Sequence, residues 1–301
     1  MMEYIELDNI TYGFARNFKH DHDIRLSFNK LTEATFRFNF EKWYQNGFWA
    51  DNYIPYSLLH NNKVISNVSV NIIEFVIDKE KKIGIQIGTV MTDEKYRRRG
   101  LNRYIMEQVL NDWKDKSDFI YLFANDSVLD FYPRFNFETI DEFQCSSTLI
   151  NSPNASSPPR KLNIEDNNDK ELLVETANMS PPMSKISMRN NVSLIMFHCM
   201  FSKKDSIYYI ENLKAIVIAD YKGDTLYLND VFSKGPIELN DVIQYMSKKD
   251  VKRLVLGFTP LNETGYKRSL LKQEDTTLFV MKGKSDYFKK NNLMFPVLSY
   301  A

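Results

Sequence analysis

The chain has 301 residues, 43% of them hydrophobic and 14% aromatic, and its 39 Lys+Arg balance 39 Asp+Glu. A zero formal charge supplies no overall field for nucleic acid or an anionic membrane. The apolar runs are too short to span a bilayer, and a chain of this length and composition holds enough apolar material for real cores, read as two domains with one large domain as the alternative.

The opening residues Met1-Met2-Glu3-Tyr4-Ile5-Glu6 lack the basic-then-apolar order of a secretory signal. A short strand is expected over 4–10, and a helix over 24–35 with Leu26, Lys30 and Leu31 on neighbouring turns. Residues 40–47 read as a second helix stopped by Gly47. Tyr53–His60 and Lys63–Ile77 read as a hairpin turning at Asn61-Asn62. In its second strand Val64, Val68, Val70 and Ile72 oppose Asn67, Ser69 and Asn71. Such a polar row is expected to be solvated, or less often to line a cleft. Residues 82–91 form the next strand, with Ile83, Ile85 and Ile87 on one face and Gly84, Gln86 and Gly88 on the other. Two glycines weaken a strand unless something must approach the backbone closely.

The run Val90-Met91-Thr92-Asp93-Glu94-Lys95-Tyr96-Arg97-Arg98-Arg99-Gly100-Leu101-Asn102 leads from that strand into a helix, on which Leu101, Ile105, Val109 and Trp113 recur. A strand that passes through an arginine-glycine loop into a helix presents backbone N–H groups at a positive helix end, which suits phosphate. The competing reading is a solvated basic turn. Downstream, Phe119–Ala124 reads as a buried strand, followed by Asn125 at the start of a short helix, then Tyr132 and Asn136.

These residues carry a resemblance. Arg97-Arg98-Arg99-Gly100-Leu101-Asn102 resembles the acetyl-CoA signature of the GNAT superfamily of N-acyltransferases, in particular its enhanced-intracellular-survival branch. Asn102 departs from that signature, which prefers Gly or Ala there. The stretch Asn125 to Phe137 resembles the family's second motif, with Asn136 standing where Gly is usual; Asn tolerates the left-handed conformation that Gly supplies. The resemblance implies an α/β fold whose mixed central sheet, flanked by helices, splays where strands 82–91 and Phe119–Ala124 part to admit acetyl-CoA. It implies that Val90, Met91 and Thr92 hold the pantetheine arm, that Arg97, Arg98, Arg99, Gly100, Leu101 and Asn102 wrap the pyrophosphate, and that Asn125 adds a contact. It implies Tyr132 as general acid for the departing thiolate; the competing reading is a core tyrosine between Phe131 and Phe135. It implies an acceptor cleft lined by elements near Trp43, Tyr44 and Trp49, whose other reading is packing. It also offers the carboxylate of Ala301 as a base.

Residues 143–150 read as the last strand of this first unit, taken as 1–150. The Ser-, Pro- and Asn-rich stretch 151–160 reads as a linker. In the second unit, 161–301, a hairpin flanks Lys222-Gly223-Asp224, a helix spans 237–246, a buried strand 253–258, and strands 278–281 and 295–300 close the chain. This order echoes the first half and suggests a second, degenerate GNAT-like α/β domain. Its loop Ser233-Lys234-Gly235-Pro236 lacks the arginine-glycine pattern, so no cofactor is expected there; an unrelated α+β domain is the alternative.

The only cysteines, Cys145 and Cys199, make no disulfide framework and fit a reduced cytoplasmic setting; Cys199 beside His198 offers too few ligands for a metal. His20, His22, His60 and His198 have no motif support as a base. The reading is therefore an acetyl-CoA-dependent N-acetyltransferase acting on a primary amine of a small molecule, with homo-oligomers left open and no nucleic acid or membrane partner. The alternative is a catalytically silent acyl-CoA-binding regulatory or protein-interaction module.

Overall fold

The computed structural model describes residues 2–149 and 157–300. In chain order the first half contains β1 (Glu3–Leu7), β2 (Ile10–Arg16), α1 (His22–Phe36), α2 (Glu41–Gln45), β3 (Tyr53–His60), β4 (Lys63–Ile77), β5 (Glu80–Thr92), α3 (Leu101–Trp113), β6 (Phe119–Ala124), β7 (Phe137–Thr139) and β8 (Phe143–Thr148). The second half contains β9 (Arg160–Lys161), α4 (Asn167–Met179), β10 (Ile186–Arg189), α5 (Val192–Met200), β11 (Ile207–Ile210), β12 (Ala215–Lys222), β13 (Thr225–Ser233), α6 (Leu239–Met246), β14 (Arg253–Leu256), β15 (Lys267–Leu270), β16 (Thr277–Met281) and α7 (Asp286–Asn291).

Local chemistry sets the boundaries. The expected strand over 4–10 is two strands, because Asp8 and Asn9 take φ of 49° and 59° and turn a hairpin between β1 and β2. Asn61 and Asn62 do the same between β3 and β4. Helix α1 starts where the Asp21 side chain accepts the Ile24 N–H and ends at left-handed Arg37.

The first sheet runs β1-β2-β3-β4-β5-β6-β16-β7, with β10 paired to β4, and the second runs β15-β8-β14-β13-β12-β11-β9. Alternating side chains divide each sheet between two cores. On one face of the first sheet Phe14, Leu58, Ile85, Ile87 and Leu122 pack on Leu101, Ile105 and Val109 of α3. On its other face Val64 and Met91 pack on Phe28 and Leu31 of α1, Trp43, Trp49, and Met196 and Cys199 of α5. That core continues to Ile216, Ile218 and Phe232 of the second sheet, whose far face is closed by Val242 and Met246 of α6. Helices α1, α2, α4 and α5 are thus a shared layer between the sheets. Burial is deep on both faces, so the polar row Asn67, Ser69 and Asn71 is not solvated: all three are buried and internally bonded.

The halves exchange strands. β8, expected as the last strand of the first unit, pairs with β14 and β15 in the second sheet. β16 returns from the second half and lies between β6 and β7 in the first. Periodicity specifies that a segment is a strand and which face is apolar, but not which non-local partner it meets. The expected terminal strand over 295–300 is instead an irregular segment with a 3-10 turn at Val297–Ser299. Residues 150–156 of the expected linker lie outside the described residues.

Candidate active site

Strands β5 and β6 are parallel and paired from Gly84↔Phe119 to Ile87↔Leu122, then separate. Beyond that point a cleft of about 950 Å³ opens, bounded by Ile87 to Thr92, the loop into α3, and the segment from Phe123 to Arg134. Because the opening passes between two strands, it reaches both faces of the sheet, the α3 face and the α1 face.

A bulge shapes its first wall. Asn67 pairs with Met91 and Ser69 with Gly88, so Thr89 and Val90 together oppose Val68. Thr89 takes φ of 50°, a conformation β-branched residues avoid. Buried groups hold it there. Asn67 donates to the Thr89 carbonyl at 2.9 Å and to Ser69 Oγ at 2.9 Å, Ser57 Oγ donates to Asn67 Oδ1 at 2.8 Å, and the Tyr53 hydroxyl meets Thr89 Oγ1 at 2.9 Å. The polar row therefore supports the wall from behind. A bulge leaves backbone groups unpaired, which is what a strand-like ligand arm requires of Val90, Met91 and Thr92.

The second wall is the loop and the start of α3. Asp93 caps a short 3-10 turn by accepting the Lys95 N–H at 2.9 Å. Arg97 bonds the Thr92 carbonyl at 3.3 Å and faces Glu94 at 3.6 Å, so it steadies the loop. Arg98 is left-handed at φ 66° and lines the cleft with no partner among the described residues. Arg99 turns away: it bonds the Lys95 carbonyl at 3.2 Å and lies over the Tyr96 ring. Gly100, at φ 73°, is the N-cap of α3, and no side chain caps the helix. The first N–H groups of α3 are therefore available. A Cβ built on Gly100 meets nothing within 4 Å, so the space before the helix is open. Leu101 is buried beneath. Asn102 does not crowd this space with its carbonyl, because Ser66 Oγ donates to its Oδ1 at 2.6 Å and ties α3 to β4.

The third wall follows β6. Asn125 lines the cleft, but its amide donates to Asp275 at 2.8 Å, and Asp275 also accepts the Asp126 N–H. Asn136 takes φ of 65°, as its place in the turn predicts. Tyr132 packs against Phe131, Phe137 and Phe279, with no hydrogen bond from its hydroxyl to the described residues. Burial pushes its phenol up to about 12, so it carries its proton throughout the neutral range. Tyr132 thus combines the two readings given to it: its ring is core and it lines the cleft.

Trp43 and Trp49 lie elsewhere. Both are buried between α1, α2 and α5; Trp43 donates to the Ser193 carbonyl at 2.9 Å and Trp49 to the Tyr53 carbonyl at 3.2 Å. Tyr44 packs edge-on against Trp49 and under the Arg25 guanidinium. None of the three lines the cleft. Ala301 lies outside the described residues. In their place the structure brings Thr35, Phe36 and Phe123 to the α1 side, and Arg103 and Arg134 beside the loop. Arg103 and Arg134 were open to notice as basic residues adjoining the two motifs; Thr35 and Phe36 arrive only through packing of α1. Among the described residues no cluster of three or more His, Cys, Asp or Glu is placed to hold a metal ion, and no helix is long and apolar enough to cross a membrane.

The second unit repeats the plan, with β12 antiparallel to β13, β13 parallel to β14, and α6 between them. Its strands lie under the chain's own segment: the Val297 N–H donates to the Gly257 carbonyl at 2.9 Å, and a Cβ on Gly257 would meet Val297 at 2.9 Å. The place corresponding to the first unit's cleft is thereby partly filled by protein.

Residues 11–140 match the family described as acetyltransferase (GNAT) domain. The whole chain has the two-domain GNAT-like fold. A probable N-acyltransferase from Enterococcus faecalis V583 is similar over 90% of this chain and 72% of its own, with TM-score 0.57 and 16% identity. Eis1 from Mycobacterium abscessus matches over 88% and 72%, with TM-score 0.54 and 12% identity. A GCN5-related N-acetyltransferase from Anabaena variabilis ATCC 29413 matches over 89% and 72%, with TM-score 0.53 and 13% identity. These likenesses are likenesses of fold. No curated protein matches the chain in sequence.

Proposed function

We propose that the chain is an acetyl-CoA-dependent N-acetyltransferase that moves an acetyl group directly to a primary amine of a small molecule, in the cytoplasm. The observation that carries this is the cleft where β5 and β6 part, walled by a strained bulge on one side and an uncapped helix start behind Gly100 on the other. Phosphate is suited by the N–H groups of α3 and by Arg98, with Arg97 holding the loop in shape. The Val90 to Thr92 backbone suits the pantetheine arm.

In this reading the amine nitrogen forms a bond to the acetyl carbon as the carbon–sulfur bond breaks. The sulfur takes its proton from the Tyr132 hydroxyl, and the proton lost by the amine passes through water and restores that hydroxyl. No histidine lines the cleft among the described residues, and its one lining carboxylate is Asp130. That sparse supply of bases is the observation favouring a silent acyl-CoA binder as the second reading.

Calorimetry and a free-thiol assay separate these readings. Wild type binds CoA, and Gly100→Glu loses it, because bulk and negative charge enter the open space before α3. Equal CoA affinity in both proteins refutes the assignment. Binding without thiol release across a panel of amines selects the silent binder.

A further inference from the structure

The cleft carries more positive charge than a pyrophosphate requires. Arg97, Arg98, Arg103 and Arg134 line it, against one carboxylate among the described residues, Asp130. Arg97 is engaged by Glu94 and the Thr92 carbonyl. Arg98 stands two residues before the uncapped start of α3, where the pyrophosphate is read. Arg134 uses its Nε to donate to the Asp130 carbonyl at 3.2 Å, so the two terminal nitrogens of its guanidinium stay free for another partner. Arg103 is exposed and lines the cleft with no partner among the described residues.

Their places in the fold put these last two cations next to the pyrophosphate site. Helical side chains lean toward the N-terminus of their helix. Arg103, in the first turn of α3, therefore reaches back toward the space left open at Gly100. Arg134 lies on the short turn Tyr132–Phe135, in the wall that follows β6. A CoA molecule is linear: thioester, pantetheine, pyrophosphate, then a ribose bearing a 3′-phosphate and adenine. With its pantetheine along Val90 to Thr92 and its pyrophosphate at the start of α3, the ribose falls one sugar beyond the loop.

We infer that Arg103 and Arg134 bind the ribose 3′-phosphate, so that the cleft distinguishes CoA from dephospho-CoA. This rests on the acyl-CoA reading of the cleft. A phosphate monoester carries about −1.5 to −2 charge at neutral pH and three acceptor oxygens, enough to face two guanidinium groups at once. Neither arginine has to leave an ion pair to meet it. A planar guanidinium also matches phosphate geometry with two parallel N–H groups, which a solvated surface charge does not need.

The test is calorimetric titration with CoA and with dephospho-CoA, read as the ratio of the two dissociation constants. Wild type is expected to hold CoA at least about tenfold more tightly, the equivalent of about 1.4 kcal/mol. The double variant Arg103→Gln, Arg134→Gln brings the ratio close to one while still binding dephospho-CoA, which also certifies its fold. Arg98→Gln weakens both ligands and keeps the ratio. All three positions are exposed, so none of the changes opens a core. If neither ligand binds the wild type, the acyl-CoA reading falls and takes the inference with it. If both bind equally, if the double variant keeps the wild-type ratio, or if Arg98→Gln alone erases it, the assignment of Arg103 and Arg134 falls and the acyl-CoA reading stands.

Discussion

Glu142→Gln tests how the chain holds the segment behind the cleft. Glu142 is 8% exposed, and burial pushes its carboxyl from 4.5 up to about 7, against the Phe295 N–H and Tyr300 hydroxyl that favour the charged form. The folded state therefore holds this proton more tightly than the unfolded chain. Its contribution to stability is fully present below pH 4.5 and is lost as pH rises through about 7. That rise corresponds to on the order of 3 kcal/mol, most of it developing between about pH 4.5 and 7. Glutamine keeps a carbonyl for the Phe295 N–H and never ionises. Urea unfolding of both proteins at intervals from pH 5 to 8 should show the variant gaining on the wild type by that order as pH rises. Asp230, also raised by burial to about 7, acts with the same sign, and His198, lowered by burial to about 4, with the opposite sign. Both are common to the two proteins and cancel in the difference. A difference that stays flat with pH refutes a buried, titrating Glu142.

Tyr132→Phe removes only the hydroxyl and is expected to lower turnover by ~100-fold with CoA affinity retained, checked by steady-state kinetics and calorimetry. Because the Tyr132 phenol is raised to about 12, the wild-type rate should rise with pH as the amine loses its proton, with no falling limb from this residue below about pH 11. Asn67→Ala strands Ser57, Ser69 and the Thr89 carbonyl, so it should cost about 1–3 kcal/mol in denaturant titration and weaken CoA binding as the bulge relaxes. Residues 1–150 expressed alone lack β10 and β16, so β6 and β7 lose the strand that joins them; circular dichroism should show no cooperative melt, and a sharp transition would mean the first unit folds without the exchange.

The loop from β5 into α3 was legible in the sequence because everything that makes it is local. A strand, an arginine-glycine turn and an amphipathic helix follow one another within a few residues, and Gly100, Asn136 and the Asn61-Asn62 turn each carry their backbone conformation in their own side chains, or in lacking one. The aromatic cluster around Trp43 and Trp49 was ambiguous for the opposite reason. A core stripe and a cleft floor have the same composition, and only the docking of α5 decides that these rings face inward. Asn67 and Ser69 looked like a solvated row because alternation alone does not say whether the polar side meets water or a strained bulge. The exchange of β8 and β16 and the arrival of Phe36 and Phe123 at the cleft depend on contacts between residues far apart in the chain. Those contacts are set by which faces remain unburied after the local elements form, and no local pattern records them.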